Sequence, residues 1–432
     1  MASVAVVVLD TLRYDSFTEE FDWLDGKRFS RAYSTSHWTV PAHASLFTGE
    51  YASNVGVHGR SPTLDCEKQT LAEAFQQAGY RTRAFNANTQ LTQYEGWDRG
   101  FDEFVGKANL GRTDDAIFDW GRHIDETSPG LRRHFAGLAR CFSPHVDTVR
   151  SLQYGYELFQ NEAYRGGAEA VAKRVAATDF GDEVFLFVNL MDAHTPYYPP
   201  PGSDDSATVV VADAFSEAAV DGDRLRAAYR QSVGRLSELY QDIHAALCDS
   251  FDYVITLSDH GELLGEHGLW NHSVSLHPEL VQIPLVINGP DIEPGRCHEP
   301  VSILDVHQTI GDLAGIDVDS AGRNLLDDIL PTEYLVESHG LLPFHEAQFE
   351  REDVSRECFE RWQQPLYGFL TRDGAYCYES EPGEFCCLGE TALMEPQNRL
   401  AELTAQLEEP TDDDRHEVSE DLRSQLKQLG YA

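Results

Sequence analysis

Three stretches of this chain are apolar at nearly every position: residues 3–9 (SVAVVVL), 183–190 (EVFLFVNL) and 252–257 (DYVITL). A strand with one wet face alternates polar and apolar residues. A run without alternation is buried on both faces, which requires a sheet covered by helices on each side. Helical segments lie between the runs. Residues 70–77 are closed by Gly79, and residues 303–314 by Gly315. Leu225, Tyr229, Val233, Leu236, Tyr240, Ile243 and Leu247 recur at steps of three and four, the spacing of one buried helical face. Residues 81–86 and 283–288 read as further strands. The alternation predicts an α/β fold with a mostly parallel sheet covered by helices on both faces. Residues 1–325 are assigned to this domain, with a charged, aromatic helical insertion at about 111–174 and a small, acidic surface loop at 202–222. Residues 331–432 are assigned to a small α+β subdomain. It carries a hairpin over 367–378 around Asp373-Gly374 and two amphipathic helices, one marked by Leu400, Leu403 and Leu407, the other by Val418, Leu422, Leu426 and Leu429.

In open parallel sheets, ligands bind beyond the carboxyl ends of the strands. Asp10, Asn88, His194, Asp259 and His260 all follow predicted strands directly. Thr39 precedes Pro41, which is tolerated in the first turn of a helix, and Gly49 supplies the stop. This predicts Thr39 as the cap of a helix over about 39–48, at an end that attracts anions, with His43 on the same face. Asp10 with Asp259 and His260 would make a compact O/O/N metal site if the sheet joins them. Taken singly, Asp10 could cap a turn and Asp259-His260-Gly261 could be one.

The formal charge of −40 disfavours nucleic acid and anionic membrane surfaces as partners. It suits a salt-adapted, halophilic protein of the cytoplasm, and no targeting segment or membrane-length apolar run is visible. Eight cysteines without a C-x-x-C pair are expected to be reduced, mostly buried thiols, although Cys386-Cys387 could attract a metal.

Four motifs, in order, resemble the sulfatase branch of the alkaline phosphatase superfamily. They are Val8-Leu9-Asp10-Thr11-Leu12-Arg13, Thr39-Val40-Pro41-Ala42-His43-Ala44-Ser45-Leu46-Phe47-Thr48-Gly49, Met191-Asp192-Ala193-His194-Thr195-Pro196-Tyr197 and Ser258-Asp259-His260-Gly261-Glu262-Leu263-Leu264-Gly265-Glu266-His267-Gly268-Leu269-Trp270. The resemblance covers about residues 3–320. It implies a hydrolase of sulfate or phosphate esters with one divalent metal held by Asp10, Asp259 and His260, and Thr39 as a nucleophile bridging metal and substrate. His194 and His272 would contact the anion or protonate the leaving oxygen, and His43 and Asn88 would contact substrate. The nitrogen of His260 favours manganese or zinc over magnesium or calcium. The substrate would be an anionic ester, small or linked to a glycan or lipid. His58, Glu262, Glu266 and His267 read as structural. Asp192 with His194 are the only obvious candidates for a second metal.

The sequence departs from that family at several positions. Thr39 stands where sulfatases carry a cysteine or serine that matures to formylglycine. His43 replaces an arginine, Thr11 an aspartate, and Ala87 and His272 two lysines. A formylglycine hydrate expels sulfate by collapsing to the aldehyde, which a threonine ester cannot do. Phosphoryl chemistry is therefore favoured. A transferase of the same fold and a degenerate metal- or anion-binding protein are the alternatives.

Overall fold

The computed structural model describes residues 1–125, 127, 131–159, 166–197, 207, 209, 220–327, 329–341, 345, 349 and 354–408. Its centre is an eight-stranded sheet of β1 (Val4–Leu9), β2 (Lys27–Phe29), β3 (Arg81–Asn86), β4 (Glu103–Gly106), β5 (Val184–Leu190), β6 (Tyr253–Leu257), β7 (Leu285–Asn288) and β8 (Gly295–Cys297). The spatial order is β8-β2-β7-β6-β1-β5-β3-β4. From β6 across to β4 all neighbours are parallel, as the apolar runs required. β7 is antiparallel to both β6 and β2.

The 283–288 run does not form one strand. Pro284 lacks the N–H a ladder needs; Gln282–Ile283 therefore pairs with Ala32–Tyr33 in a separate small sheet, and β7 starts only at Leu285.

Among the helices that frame the sheet and the loops at its carboxyl edge are α1 (Thr39–Thr48), α2 (Ala168–Ala177), α3 (Gly222–Cys248), α4 (Pro278–Val281) and α5 (Ile303–Ala314), and the expected helix after Thr70 runs Leu71–Gln77. Successive side chains of β1 point to opposite faces. Ala5, Val7 and Leu9 meet α2 and α3 in one cluster, and Val4, Val6 and Val8 meet α1 and α5 in the other. All seven residues of the Leu225-to-Leu247 series are buried. α5 starts with a capping box, Ser302 with Asp305, and ends at Gly315 in the left-handed conformation.

Within the 111–174 stretch, Trp120–Asp125, Leu131–Arg140 and Thr148–Phe159 are helical, and Ile117, Trp120, Cys141 and Tyr154 form a small core of their own. α2 belongs to the main core. Most of the predicted 202–222 loop, and the whole 418–429 helix, lie outside the described residues. The earlier of the two terminal helices is Pro396–Thr404.

The C-terminal part is an antiparallel sheet of β9 (Tyr334–Ser338), β10 (Leu366–Leu370), β11 (Tyr376–Glu381) and β12 (Glu384–Leu388). Asp305 joins the two parts: its carboxylate accepts from Tyr334 Oη and from the Arg323 guanidinium and backbone N–H. The expectation of wholly reduced thiols is corrected here. Cys377 and Cys387 face each other across the β11–β12 ladder and form a disulfide, which also removes Cys387 as a metal ligand. No described helix is long and apolar enough to cross a membrane.

Candidate active site

The register of the parallel strands lines up their carboxyl ends. Val8 lies beside both Asn189 and Leu257, and Asn86 beside Asn189. Asp10, Asn88 and Asp259 therefore leave the sheet at one level. The β1 and β6 loops are also tied together. Thr11, in the left-handed region at φ 64°, donates its N–H to Asp259 Oδ1 at 3.3 Å, and Leu12 N–H donates to Ser258 Oγ at 3.0 Å. Such a φ is uncommon for a β-branched residue.

Thr39 is not the cap that the sequence suggested. Trp38 occupies the cap position with no side-chain bond to the helix, and Thr39 is the first helical residue. The side chain is thus released from the backbone. Thr39 Oγ1 lies 3.3 Å from His260 Nε2 and accepts from Asn88 Nδ2 at 3.4 Å. Gly49, at φ 68°, ends the helix as expected.

Asp10, Asp259 and His260 are fully buried, and their donor atoms lie within 4.8 Å of one another. Three observations show that this set suits a cation. Asp259 Oδ2 is buried with no hydrogen-bond partner among the described residues, 3.5 Å from His260 Nε2. His260 Nδ1 sits 2.9 Å from the Gly261 carbonyl, to which only an N–H can donate, so Nε2 keeps its lone pair. Asp10 Oδ2 accepts from the Asn88 and Asn189 amides at 2.8 and 3.1 Å. Burial alone would raise the Asp10 pKa, but His194, His260, His43 and the Asn88 bond together hold it at about 2. Burial, and then the charge of Asp10, push Asp259 upward. Two carboxylates this close and this dry are most readily reconciled by a positive ion.

His194 and His272 stand beside this cluster, both buried. Their ring centroids are 5.0 Å apart, and His272 is 4.6 Å from His260. His194 Nδ1 faces the Thr195 carbonyl. Burial, reinforced by His272, lowers the His194 pKa to about 4; burial and then His260 hold His272 well below its usual value.

Glu262, read from sequence as a turn residue, belongs to this group. It is fully buried, accepts from His272 Nδ1 at 2.9 Å and from Tyr197 Oη at 2.8 Å, and burial pushes its pKa to about 7. The His272 carbonyl in turn lies 2.9 Å from His37 Nδ1, and His37 Nε2 meets Ser338 Oγ at the end of β9, so the C-terminal sheet braces the same wall.

His43, expected among the substrate contacts, has both ring nitrogens turned to protein. Nδ1 lies 2.9 Å from the Thr39 carbonyl and 3.5 Å from Asp259 Oδ2, and Nε2 lies 3.4 Å from the Asn189 amide. Asp192 is not joined to His194. Its carboxylate accepts from the Ala168 N–H at the start of α2. Glu266 binds Arg13, itself held by Asp15 and the Glu262 carbonyl. Asn189 was missed in the sequence, although a lone amide near the end of the apolar run EVFLFVNL is a readable signal.

Comparison with known proteins agrees with this architecture. The Sulfatase family model matches residues 6–316. A choline-sulfatase of Rhizobium meliloti is 25% identical over 89% of this chain and 76% of its own length. An arylsulfatase K of Xenopus laevis is 34% identical over 68% of this chain and 57% of its own. Among solved structures, a phosphonate monoester hydrolase from Silicibacter pomeroyi shares the fold at TM-score 0.63 and 17% identity, covering 98% of each chain. With the family matched across the sheet, the four strand-end loops and the buried acidic centre, the chain belongs to the sulfatase family and is a hydrolase of sulfate or phosphate esters.

Proposed function

We propose that the protein hydrolyses phosphate esters, with sulfate esters as the lesser substrates, through a covalent ester on Thr39. The observation that carries this reading is the position of Thr39 Oγ1 at the first turn of α1, 3.3 Å from His260 Nε2 and beside Asn88. Asp10, Asp259 and His260 are the residues that would hold a divalent ion, manganese or zinc by the nitrogen in the set. When bound, it supplies the positive charge that lowers the hydroxyl pKa and offsets charge on the ester oxygens.

The remaining work falls to the chain. Thr39 Oγ attacks phosphorus; the Oγ–P bond forms as the bond to the leaving oxygen breaks. His272 or His194, neutral in the buried site, takes the proton lost from Thr39 on a ring nitrogen and passes it to the leaving oxygen. Water then attacks phosphorus, the Oγ–P bond breaks, and Thr39 regains its proton. Glu262, accepting from His272 Nδ1, fixes which ring nitrogen His272 presents. Asn88 and Asn189 orient Asp10, and His43 braces Asp259 and the Thr39 carbonyl. The departure of His272 from lysine gives this site a neutral proton acceptor and carrier.

A panel of aryl sulfates, phosphate monoesters, phosphate diesters and phosphonate monoesters, assayed with Thr39→Ala beside the wild type, tests the reading. Turnover of phosphorus esters that falls at least a thousandfold in the variant is expected. Full activity of Thr39→Ala would refute a covalent threonine ester, and turnover confined to sulfates would refute the substrate class.

A further inference from the structure

Away from the Asp10–Asp259–His260 centre, His267, His277 and Glu279 bring two imidazoles and a carboxylate together, with donor atoms within 4.8 Å of one another. His267 lies in the short turn Glu266–Gly268 and adopts the left-handed conformation, φ 58° and ψ 16°, just before Gly268. Its ring stacks on His277, centroids 3.5 Å apart. Glu279 Oε1 is 3.5 Å from His267 Nε2. That is long for a charge-assisted hydrogen bond. The second oxygen, Glu279 Oε2, is buried with no hydrogen-bond partner among the described residues. His277 Nδ1 is 3.2 Å from Tyr378 Oη.

We propose that His267, His277 and Glu279 form a second metal site, for zinc or a similar borderline transition ion. Two neutral imidazoles and one carboxylate match that class, and calcium or magnesium would require more oxygen. The parallel rings cannot both aim at one ion, so binding turns the His267 ring about Cβ–Cγ out of the stack. That side chain is 41% exposed, which leaves it room to turn and leaves a coordination position open to water. The site is a brace. Glu279 and Leu280 are backbone neighbours of the loop that carries Asp259 and His260: Gly261 N–H donates to the Leu280 carbonyl at 2.7 Å, and a Cβ on Gly261 would meet the Glu279 oxygen. Tyr378, on β11, ties the cluster to the C-terminal sheet.

The test uses full-length protein equilibrated with zinc, freed of unbound metal, and analysed for zinc per chain. His267→Ala and the isosteric Glu279→Gln are each expected to lose one equivalent relative to the wild type. Asp259→Asn, which damages the other centre, should keep that equivalent, together with a zinc-dependent rise in unfolding temperature that Asp259→Asn/His267→Ala lacks. Zinc content unchanged in both single variants would overturn the proposal, as would a zinc-dependent rise that persists in the double variant. Because Glu279→Gln preserves shape, a folding failure of His267→Ala would leave the stoichiometry decisive.

Discussion

Replacing Asp259 by asparagine should stabilise the ion-free protein while destroying its ability to be stabilised by manganese at the Asp10–Asp259–His260 centre. Asp10 and Asp259 are both fully buried, with donor oxygens within 4.8 Å. Two unit charges at that separation repel by about 3.5 kcal/mol at an effective dielectric of ~20. Asparagine removes the repulsion at little cost in hydrogen bonds. Its Oδ1 can accept from the Thr11 and His260 N–H groups as Asp259 Oδ1 does, and its Nδ2 takes the place of the unpartnered Oδ2, close enough to donate to the His260 Nε2 lone pair. Urea unfolding in the presence of a chelator, at a pH high enough to ionise both carboxylates, should therefore give Asp259→Asn an advantage of about 3 kcal/mol over the wild type. With saturating manganese the order should reverse, because only the wild type gains the free energy of binding at this centre. A variant no more stable than wild type in chelator would refute the claim that two charged carboxylates face each other in the ion-free centre.

Other substitutions address the rest of the molecule. Glu262→Gln should lower kcat by roughly 10–100-fold with little change in KM, since it alters the proton placement of His272 and leaves its packing intact; a KM effect alone would assign Glu262 to structure. His307, buried against α1 with Nδ1 on the Leu46 carbonyl, has its pKa lowered to about 4, chiefly by burial. A base whose folded pKa lies below its unfolded value stabilises fully above pH 6.5 and loses that contribution as pH falls toward 4. This group alone should cost about 3 kcal/mol over the interval, and His307→Asn should flatten the stability–pH curve there. Cys387→Ser opens a cross-link of ten residues' separation and should lower stability by about 2–3 kcal/mol under oxidising conditions, with no difference after reduction.

The strands and helices that place the centre were readable because burial on two faces leaves its mark on every residue of a run. β1, β3, β5 and β6, the α3 face and the ends of α5 all follow directly from residue pattern. The Asp10–Asp259–His260 cluster was readable for a related reason: each member follows closely on a strand. What escaped the sequence depends on contacts across the fold. Glu262 looks like a loop residue until Tyr197 and His272, 65 and 10 residues away, close on it. Thr39 looked like a cap because cap chemistry is local, whereas its release from that duty depends on His260 and Asn88. The Cys377–Cys387 pairing required the β11–β12 register, which no spacing rule supplies.

The floor of the centre is assembled from segments that meet only late in the life of the chain. Thr11 and Asp259 are 248 positions apart, and Asp10 has its full set of neighbours only after β3, β5 and β6 have docked. A nascent chain that has not yet emerged past residue 260 contains no pair of these ligands in contact. Closing loops of that span is a slow, long-range event, so the half-made protein has no high-affinity trap for whichever ion is most abundant or most strongly binding. An ion bound by this centre would meet a cage whose shape is already set, where geometry and donor type can override the affinity order that would govern an unstructured chain.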